Sequence, residues 1–256
     1  MPFSFFISHR NKLLSQPFPD TWLNIISSNF WQYSHLNDTE KQSIRKIARV
    51  LVAEKNWEGC QGIAITEEIQ VTIASIAALP LIGIEHNYYS NAESVLVYPY
   101  DYLATEVRPG PAYTVNERPT IRAGETTNYG PVILSWPDAL AAGRRPGLPT
   151  NVTIHEFSHK LDWANGAIDG VPGMDSQEEC DRWEKVMGQA YADHCKAVEV
   201  GTPTLINPYG ATSPPEFFAV VAECFFQIPR HLQHYHPDLY NLYRDYYKQD
   251  PAKWIG

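Results

Sequence analysis

The stretch NVTIHEFSHKLDW, residues 151–163, contains the pattern HEFSH and decides how the rest of the chain is interpreted. If the stretch is helical, His155 and His159 lie one turn apart on one face, where both imidazoles can reach a single metal ion. Apolar residues surround the pair, and no proline or glycine interrupts it. An ordinary amphipathic helix with two histidines fits the same pattern, so the remaining sequence has to separate the two interpretations.

Glu156 is the third chemical group in this stretch. On a helix it is rotated by about 100° from His155, so it flanks a bound metal instead of binding it. Zinc lowers the pKa of a bound water to about 7, and a neighbouring carboxylate can accept the proton and pass it to the leaving amine. The spacing therefore indicates a zinc peptidase site with Glu156 as the general base.

A catalytic zinc site takes three protein ligands and keeps one position open, so a third ligand is needed. The metzincin extension would place a glycine and then a histidine after His159. Asp162 and Asn165 occupy those positions, which excludes that subclass. The acidic candidates downstream are Asp162, Asp169, Glu178, Glu179, Glu216 and Glu223.

Two of these candidates remain after local considerations. Asp162 follows His159 on the same helix and suits a supporting hydrogen bond better than a ligand position. A capping box accounts for Glu178 and Glu179. Glu216 and Glu223 are seven residues apart, nearly on one face of a predicted helix, and spacing cannot separate them.

The composition indicates a folded acidic protein. Of 256 residues, 44% are hydrophobic and 19% are charged, and the net charge is −9. Such a surface disfavours direct binding to nucleic acid or to an anionic membrane. No segment is long and apolar enough to span a bilayer, and the N-terminus lacks the layout of a secretory signal. We therefore expect a cytoplasmic protein.

Periodicity and capping signals predict the secondary structure. The predicted helices begin at the Asn37–Glu40 cap, run from Thr66 to about Leu79, cover residues 151–161, begin at a Ser176–Glu179 capping box, begin near Ser213, and follow Pro237. Compact β-branched runs predict strands at Ser94–Tyr98 and Val132–Leu134. Residues 101–128 contain three prolines and suggest a long irregular connection that faces a substrate.

The order of these elements predicts an α+β fold. Mixed strands and helices come first and the chain is mostly helical after residue 150, which favours one domain over residues 1–256, with a small mixed sheet and a mostly helical C-terminal half. Val132–Leu134 is either an edge strand that pairs with an extended substrate or a plain core strand. The sequence leaves both alternatives open.

Two longer segments resemble a known family. HEFSHKLDWANGAIDGVP at 155–172 and NPYGATSPPEFFAVVAECFF at 207–226 are similar to the signature blocks of the Mlc titration factor A family, bacterial zinc peptidases of the gluzincin type. IASIAALPLI at 73–82, VLVYP at 95–99 and GPVILSW at 130–136 resemble its other blocks. The resemblance covers roughly residues 40–250 and is less clear over residues 1–35.

This resemblance implies a zincin-like fold with the HExxH helix at its active site. It further implies that His155, His159 and Glu216 hold one zinc ion and that Tyr209 assists catalysis. Glu223 then becomes a supporting residue near the ligands. The phenol of Tyr209 suits this role chemically, because it can donate a hydrogen bond to the oxyanion of a tetrahedral intermediate.

The expected activity is zinc-dependent hydrolysis of peptide substrates, with the aminopeptidase character that the resemblance implies. An alternative comes from the same resemblance, since the family is named for binding a glucose-responsive transcriptional repressor and removing it from DNA. The chain would then act as a sequestering partner, with incidental peptidase activity. A purely structural zinc site is disfavoured, because it would leave Glu156 without a role.

Overall fold

A computed structural model describes the backbone of residues 3–100, 102–109, 115–122, 124–126 and 130–254, and the side chains of residues 9–100 and 130–254. In chain order the helices and strands are α1 Phe3–Leu14, α2 Asp20–Asn29, α3 Asp38–Glu54, β1 Asn56–Gly59, α4 Glu67–Ala78, β2 Ser94–Tyr98, β3 Tyr102–Pro109, β4 Val115–Arg122, β5 Gly124–Thr126, β6 Val132–Ser135, α5 Trp136–Arg144, α6 Val152–Asp162, α7 Gln177–Glu199, α8 Pro214–Gln227, α9 Pro229–Tyr235 and α10 Pro237–Tyr247. None of these helices combines the length and apolarity needed to cross a bilayer.

The predicted helices form at their capping signals. Asn37 accepts the Glu40 N–H, and the Glu40 carboxylate accepts the Asn37 N–H, which completes a capping box at α3. Ser176 caps α7 through the Glu179 N–H. The Glu179 carboxylate accepts the Asp175 N–H instead of the Ser176 N–H, so the box predicted at α7 is only half formed.

Four strands form a small mixed sheet in the order β1-β2-β6-β5. The β1–β2 and β2–β6 pairs are parallel, and β5 runs antiparallel to β6. Val95, Val97, Val132 and Leu134 are fully buried, as expected for central strands. Strand β6 pairs with β2 on one side and with β5 on the other, so neither side is open for an extended substrate. The edge-strand alternative for Val132–Leu134 is therefore wrong, and the core-strand alternative is confirmed.

The long irregular connection predicted for residues 101–128 is wrong in its described parts. Strands β3 and β4 pair antiparallel, from Tyr102 opposite Arg122 to Pro109 opposite Val115. Within the described backbone this is a two-stranded sheet, so Pro109 and Pro119 need not donate a ladder hydrogen bond on both sides. The prolines that suggested a loop are therefore compatible with paired strands. The side chains of this segment lie outside the described residues, and their role towards a substrate stays a prediction.

Helix α8 runs through the core, and every residue from Phe217 to Gln227 is buried. A helix that is apolar around its whole circumference belongs in the interior, so Glu223 on it needs a partner. Helix α6 packs against α8 and also contacts α4, β5 and β6. The two histidines of α6 therefore lie on a helix that is packed on several sides.

Gly170 connects the end of α6 to the next two helices. Its N–H donates to both carboxylate oxygens of Asp162, at 3.0 and 3.2 Å, and its carbonyl accepts from Trp183 Nε1 of α7 at 2.9 Å. Its φ is +80°, and a Cβ there would lie 2.7 Å from the carbonyl oxygen of Pro214, at the start of α8. Asp162 therefore anchors this loop, and its burial raises the pKa of the carboxyl group to about 6.

We expect Gly170→Ala to lower the free energy of unfolding by about 2–4 kcal/mol, because alanine would meet a backbone carbonyl in addition to left-handed strain. Gly166→Ala is the matched control, since Gly166 has φ +93° and nothing within 4 Å of the added Cβ. It should cost only about 1–2 kcal/mol. Urea unfolding measures both values. An equal loss of unfolding free energy in the two variants would show that the contact between residue 170 and Pro214 is not tight.

Candidate metal centre

Helix α6 presents the two histidines of the pattern side by side. The Asn151 side chain caps this helix by accepting the Ile154 N–H at 3.1 Å. The Nε2 atoms of His155 and His159 lie 3.3 Å apart, and the two ring centroids are 4.9 Å apart. The side chains are 12% and 13% exposed. Both nitrogens thus border one small volume that solvent reaches only in part.

Glu216 reaches the same volume from α8. Ser213 caps that helix by accepting the Glu216 N–H at 3.4 Å. The Oε2 atom of Glu216 lies 3.0 Å from His155 Nε2 and 3.5 Å from His159 Nε2. The three residues offer one ligand atom each, and these atoms all lie within 4.8 Å of one another. Among the described side chains, this is the one group of three His, Cys, Asp or Glu residues with such spacing.

Glu223 lies on the other side of His155 and is 5% exposed. Its Oε1 accepts from His155 Nδ1 at 2.8 Å, and its Oε2 accepts the backbone N–H of Asn151. Carboxylates only accept, so both ring nitrogens donate when the imidazole is protonated. In the neutral ring that keeps its bond to Glu223 the hydrogen sits on Nδ1, and Nε2, on the side of Glu216, is then the nitrogen that can bind a metal ion. The two glutamates that spacing left equivalent therefore meet different nitrogens of one histidine.

The carboxylates around His155 favour a positive charge at this point. Burial by itself lowers the pKa of His155, but the hydrogen bonds to Glu216 and Glu223 raise it, and the result lies well above the ordinary value. Burial likewise raises the pKa of Glu216, whereas the two histidines lower it, with a result far below the usual range. Both shifts have the same cause, which is attraction between cationic imidazole and carboxylate in a partly dry site.

Glu156 is buried, at 3% exposure, and lies between the two histidines along α6. Its negative charge contributes to the raised pKa of His155. The next turn carries Lys160, which is 1% exposed and donates from Nζ to the Gly130 carbonyl at 2.9 Å. Burial lowers the pKa of Lys160 to about 8, and the Glu156 charge opposes that shift. The carboxylate of Glu156 thus adjoins the three-residue group without belonging to it.

Tyr209 lies beside the histidines, although it is remote from them in sequence. A short 3₁₀ turn, Pro208–Thr212, carries it between α7 and α8. The centroid of its ring is 6.1 Å from that of His155, and the residue is 44% exposed. Its backbone is fixed at both ends, since its N–H donates to Asn207 Oδ1 at 3.0 Å and its carbonyl accepts from Thr212 Oγ1 at 2.7 Å.

The remaining acidic candidates lie away from this group. Asp162 binds the Gly170 N–H, Asp169 accepts the Val171 N–H, and Glu178 and Glu179 are exposed in the first turn of α7. Two residues near the site escaped the sequence analysis. Asn151 is the helix cap that also binds Glu223, and its position before an apolar helix was a usable signal. Lys160 carried no such signal, because a lysine on a helix ordinarily faces water.

Comparison with known proteins gives the class of this chain. A model of the glucose-regulated metallo-peptidase M90 family matches residues 6–248, and the chain belongs to that family of metallopeptidases. The chain is 30% identical over 220 residues to proteins named Mlc titration factor A from Yersinia enterocolitica and Yersinia pestis, over 84% of this chain and 81% and 80% of theirs. It is also 33% identical over 241 residues to an uncharacterized protein of Synechocystis sp., over 94% of this chain and 88% of that protein.

These similarities confirm the family that the sequence blocks indicated. They also extend the matched region towards the N-terminus, because the family match begins at residue 6, inside the segment where the resemblance was less clear. Membership in a metallopeptidase family implies a divalent metal ion, and the group of His155, His159 and Glu216 is a candidate site for it.

Proposed function

We propose that this protein is a zinc-dependent metallopeptidase of the gluzincin type that hydrolyses peptide bonds, with a zincin-like fold in one domain over residues 1–256. The observation that carries the proposal is the convergence of His155, His159 and Glu216 from two helices, with Glu156 buried beside them. Family membership supports a metallopeptidase. Aminopeptidase character, which the sequence blocks imply, is part of the proposal.

The donor set fits a catalytic zinc ion. Two imidazole nitrogens and one carboxylate oxygen are a ligand combination that zinc takes when a fourth position stays open. Glu223 supports this assignment, since a carboxylate on the second nitrogen of a histidine ligand fixes its tautomer and ring orientation. The charge also fits, because the carboxylates of Glu216 and Glu223 favour a cation next to His155.

A zinc ion held by His155, His159 and Glu216 would supply a water whose pKa is lowered to about 7 and a Lewis acid for the substrate carbonyl. Glu156 accepts the proton of the attacking water and delivers it to the leaving amine. Its burial keeps this carboxylate away from bulk solvent, where a proton would exchange freely. Tyr209 donates a hydrogen bond to the oxyanion that develops on the substrate carbonyl, and its partial exposure gives a substrate access to the phenol.

Removal of the metal tests this proposal directly. Purified protein is expected to cleave fluorogenic peptides, to lose at least about 10²-fold in rate after dialysis against a chelator, and to regain activity with one equivalent of zinc. Peptides with free and with blocked N-termini measure the aminopeptidase character. An unchanged rate in protein whose metal content has been measured as zero would contradict a zinc mechanism.

A second role is favoured by the relatives named Mlc titration factor A. We propose as the alternative that the protein binds and sequesters a glucose-responsive transcriptional repressor, with incidental peptidase activity. A net charge of −9 suits a basic DNA-binding partner and disfavours direct contact with DNA. This role would place the protein in the cytoplasm, with the repressor.

A further inference from the structure

The turn that carries Tyr209 fits tightly against its neighbours. A Cβ on Gly210 would lie 2.6 Å from Val220 Cγ2 and 3.3 Å from Phe217 Cδ2, so the turn rests directly on α8. The Tyr191 hydroxyl of α7 donates to the Ala211 carbonyl at 3.4 Å. Helix α7 therefore contacts a turn that also lies on the helix of Glu216.

His194 of α7 makes the most direct connection to this turn. It is 6% exposed, and its Nε2 lies 3.2 Å from the Asn207 carbonyl oxygen. A carbonyl can only accept, so Nε2 carries the hydrogen and donates it. The imidazole ring also packs on Phe217, with 5.3 Å between ring centroids.

Asn207 passes this contact on to Tyr209. Its carbonyl accepts a second hydrogen bond, from the Gly210 N–H at 2.9 Å, which closes the turn. Its side-chain Oδ1 accepts the Tyr209 N–H at 3.0 Å. Asn207 therefore holds the backbone of Tyr209 and of Gly210, and a displacement of Asn207 would move the residue that carries the phenol.

We propose that His194 is a positioning residue, which holds Asn207 through its Nε2–H and thereby sets the distance of the Tyr209 phenol from the metal centre. This inference rests on the proposed function, in which Tyr209 stabilises the oxyanion. His194 is not part of the group of His155, His159 and Glu216. Replacing His194 is expected to change kcat, because the phenol acts on the transition state, and to have little effect on KM or on zinc content, because His194 is not in the group that could hold the metal.

Two substitutions separate the hydrogen bond from the packing. His194→Phe keeps an aromatic ring on Phe217 and removes the donor, whereas His194→Gln keeps a nitrogen donor of similar reach. We expect kcat to fall roughly tenfold in His194→Phe, below the about 10²-fold that a 1 Å misplacement can cause, and to recover in part in His194→Gln. Gln189→Ala is the control on the same helix, since its exposed side chain donates to Asp193, one turn further along α7, and has no other hydrogen bond among the described side chains.

A double-mutant cycle with Tyr209→Phe shows whether the effect passes through the phenol. Tyr209→Phe alone should lower kcat by about 10²-fold, as for the loss of one oxyanion donor, and His194→Phe should add nothing in that background. An equal loss from His194→Phe in both backgrounds would show a general structural effect and would overturn the inference. Loss of zinc from His194→Phe would overturn it as well.

Hydrogen exchange provides a readout that does not depend on activity. In the metal-loaded protein, the amides of Tyr209 and Gly210 are expected to exchange about tenfold faster in His194→Phe than in the wild type, while those of α6 keep their rates. Unchanged exchange at these two amides would overturn the positioning role. Absence of peptide hydrolysis in the wild type would refute the proposed function, and altered exchange would still support His194 as the residue that positions this turn.

Discussion

Replacing Glu156 by glutamine is expected to lower kcat/KM for peptide hydrolysis by about 10²–10⁴-fold, because an amide cannot accept the proton of the attacking water. Zinc content should stay unchanged, since Glu156 is not among the three residues whose ligand atoms converge. Glutamine has nearly the same volume as glutamate, so the packing around this buried position should persist. Peptide kinetics, together with metal analysis and circular dichroism of the same preparation, measure these three properties.

The control for this substitution is Glu178→Gln, at an exposed carboxylate in the first turn of α7. It removes the same charge from the chain and should leave the kinetics unchanged. Unchanged hydrolysis in Glu156→Gln would refute the assignment of the general base. Lost hydrolysis with retained binding of a repressor would show that the two candidate functions are separable, whereas loss of both would tie the binding to catalysis.

Glu216→Ala is expected to abolish stoichiometric zinc binding and, with it, peptide hydrolysis. The Glu216 carboxylate is the one that faces Nε2 of both histidines, and two imidazoles alone form an incomplete site. Glu223→Ala should retain zinc but bind it about 10–100-fold more weakly, because it removes the partner that orients His155. Competition with a chromophoric chelator measures both affinities.

Glu223→Gln sharpens this comparison. The glutamine oxygen can still accept from His155 Nδ1, so its loss of zinc affinity should be smaller than that of Glu223→Ala. Full zinc retention in Glu216→Ala together with loss in Glu223→Ala would reverse the assignment of the two glutamates. Because Glu223 is buried on α8, the stability of each variant has to be measured alongside its affinity.

Local signals in the sequence were sufficient for the helix that carries the histidines. Asn151 supplies the cap, the apolar residues lie at helical spacing, and the one-turn separation brings His155 and His159 together in the structure. The same holds for the helices that begin at Asn37 and Ser213, because caps act within one turn of the chain.

Contacts between distant segments were not available from local signals. Glu216 meets Nε2 of His155 and Glu223 meets Nδ1, and this difference depends on how α8 docks against α6. The neighbours of Val132–Leu134 depend on β5, whose three residues give little periodicity to detect. His194 belongs to no motif, and only the fold brings it to the turn of Tyr209.

The docking of α6 on α8 has a consequence for the protein in the cell. Since His155 and His159 belong to one helix and Glu216 to the other, a cation bound among them acts as a crosslink between two parts of the core. By mass action, a ligand present at about a thousand times its dissociation constant stabilises the folded state by about 4 kcal/mol. The supply of metal would then govern how long each molecule survives proteolysis, because the population of opened molecules falls as the folded state gains stability.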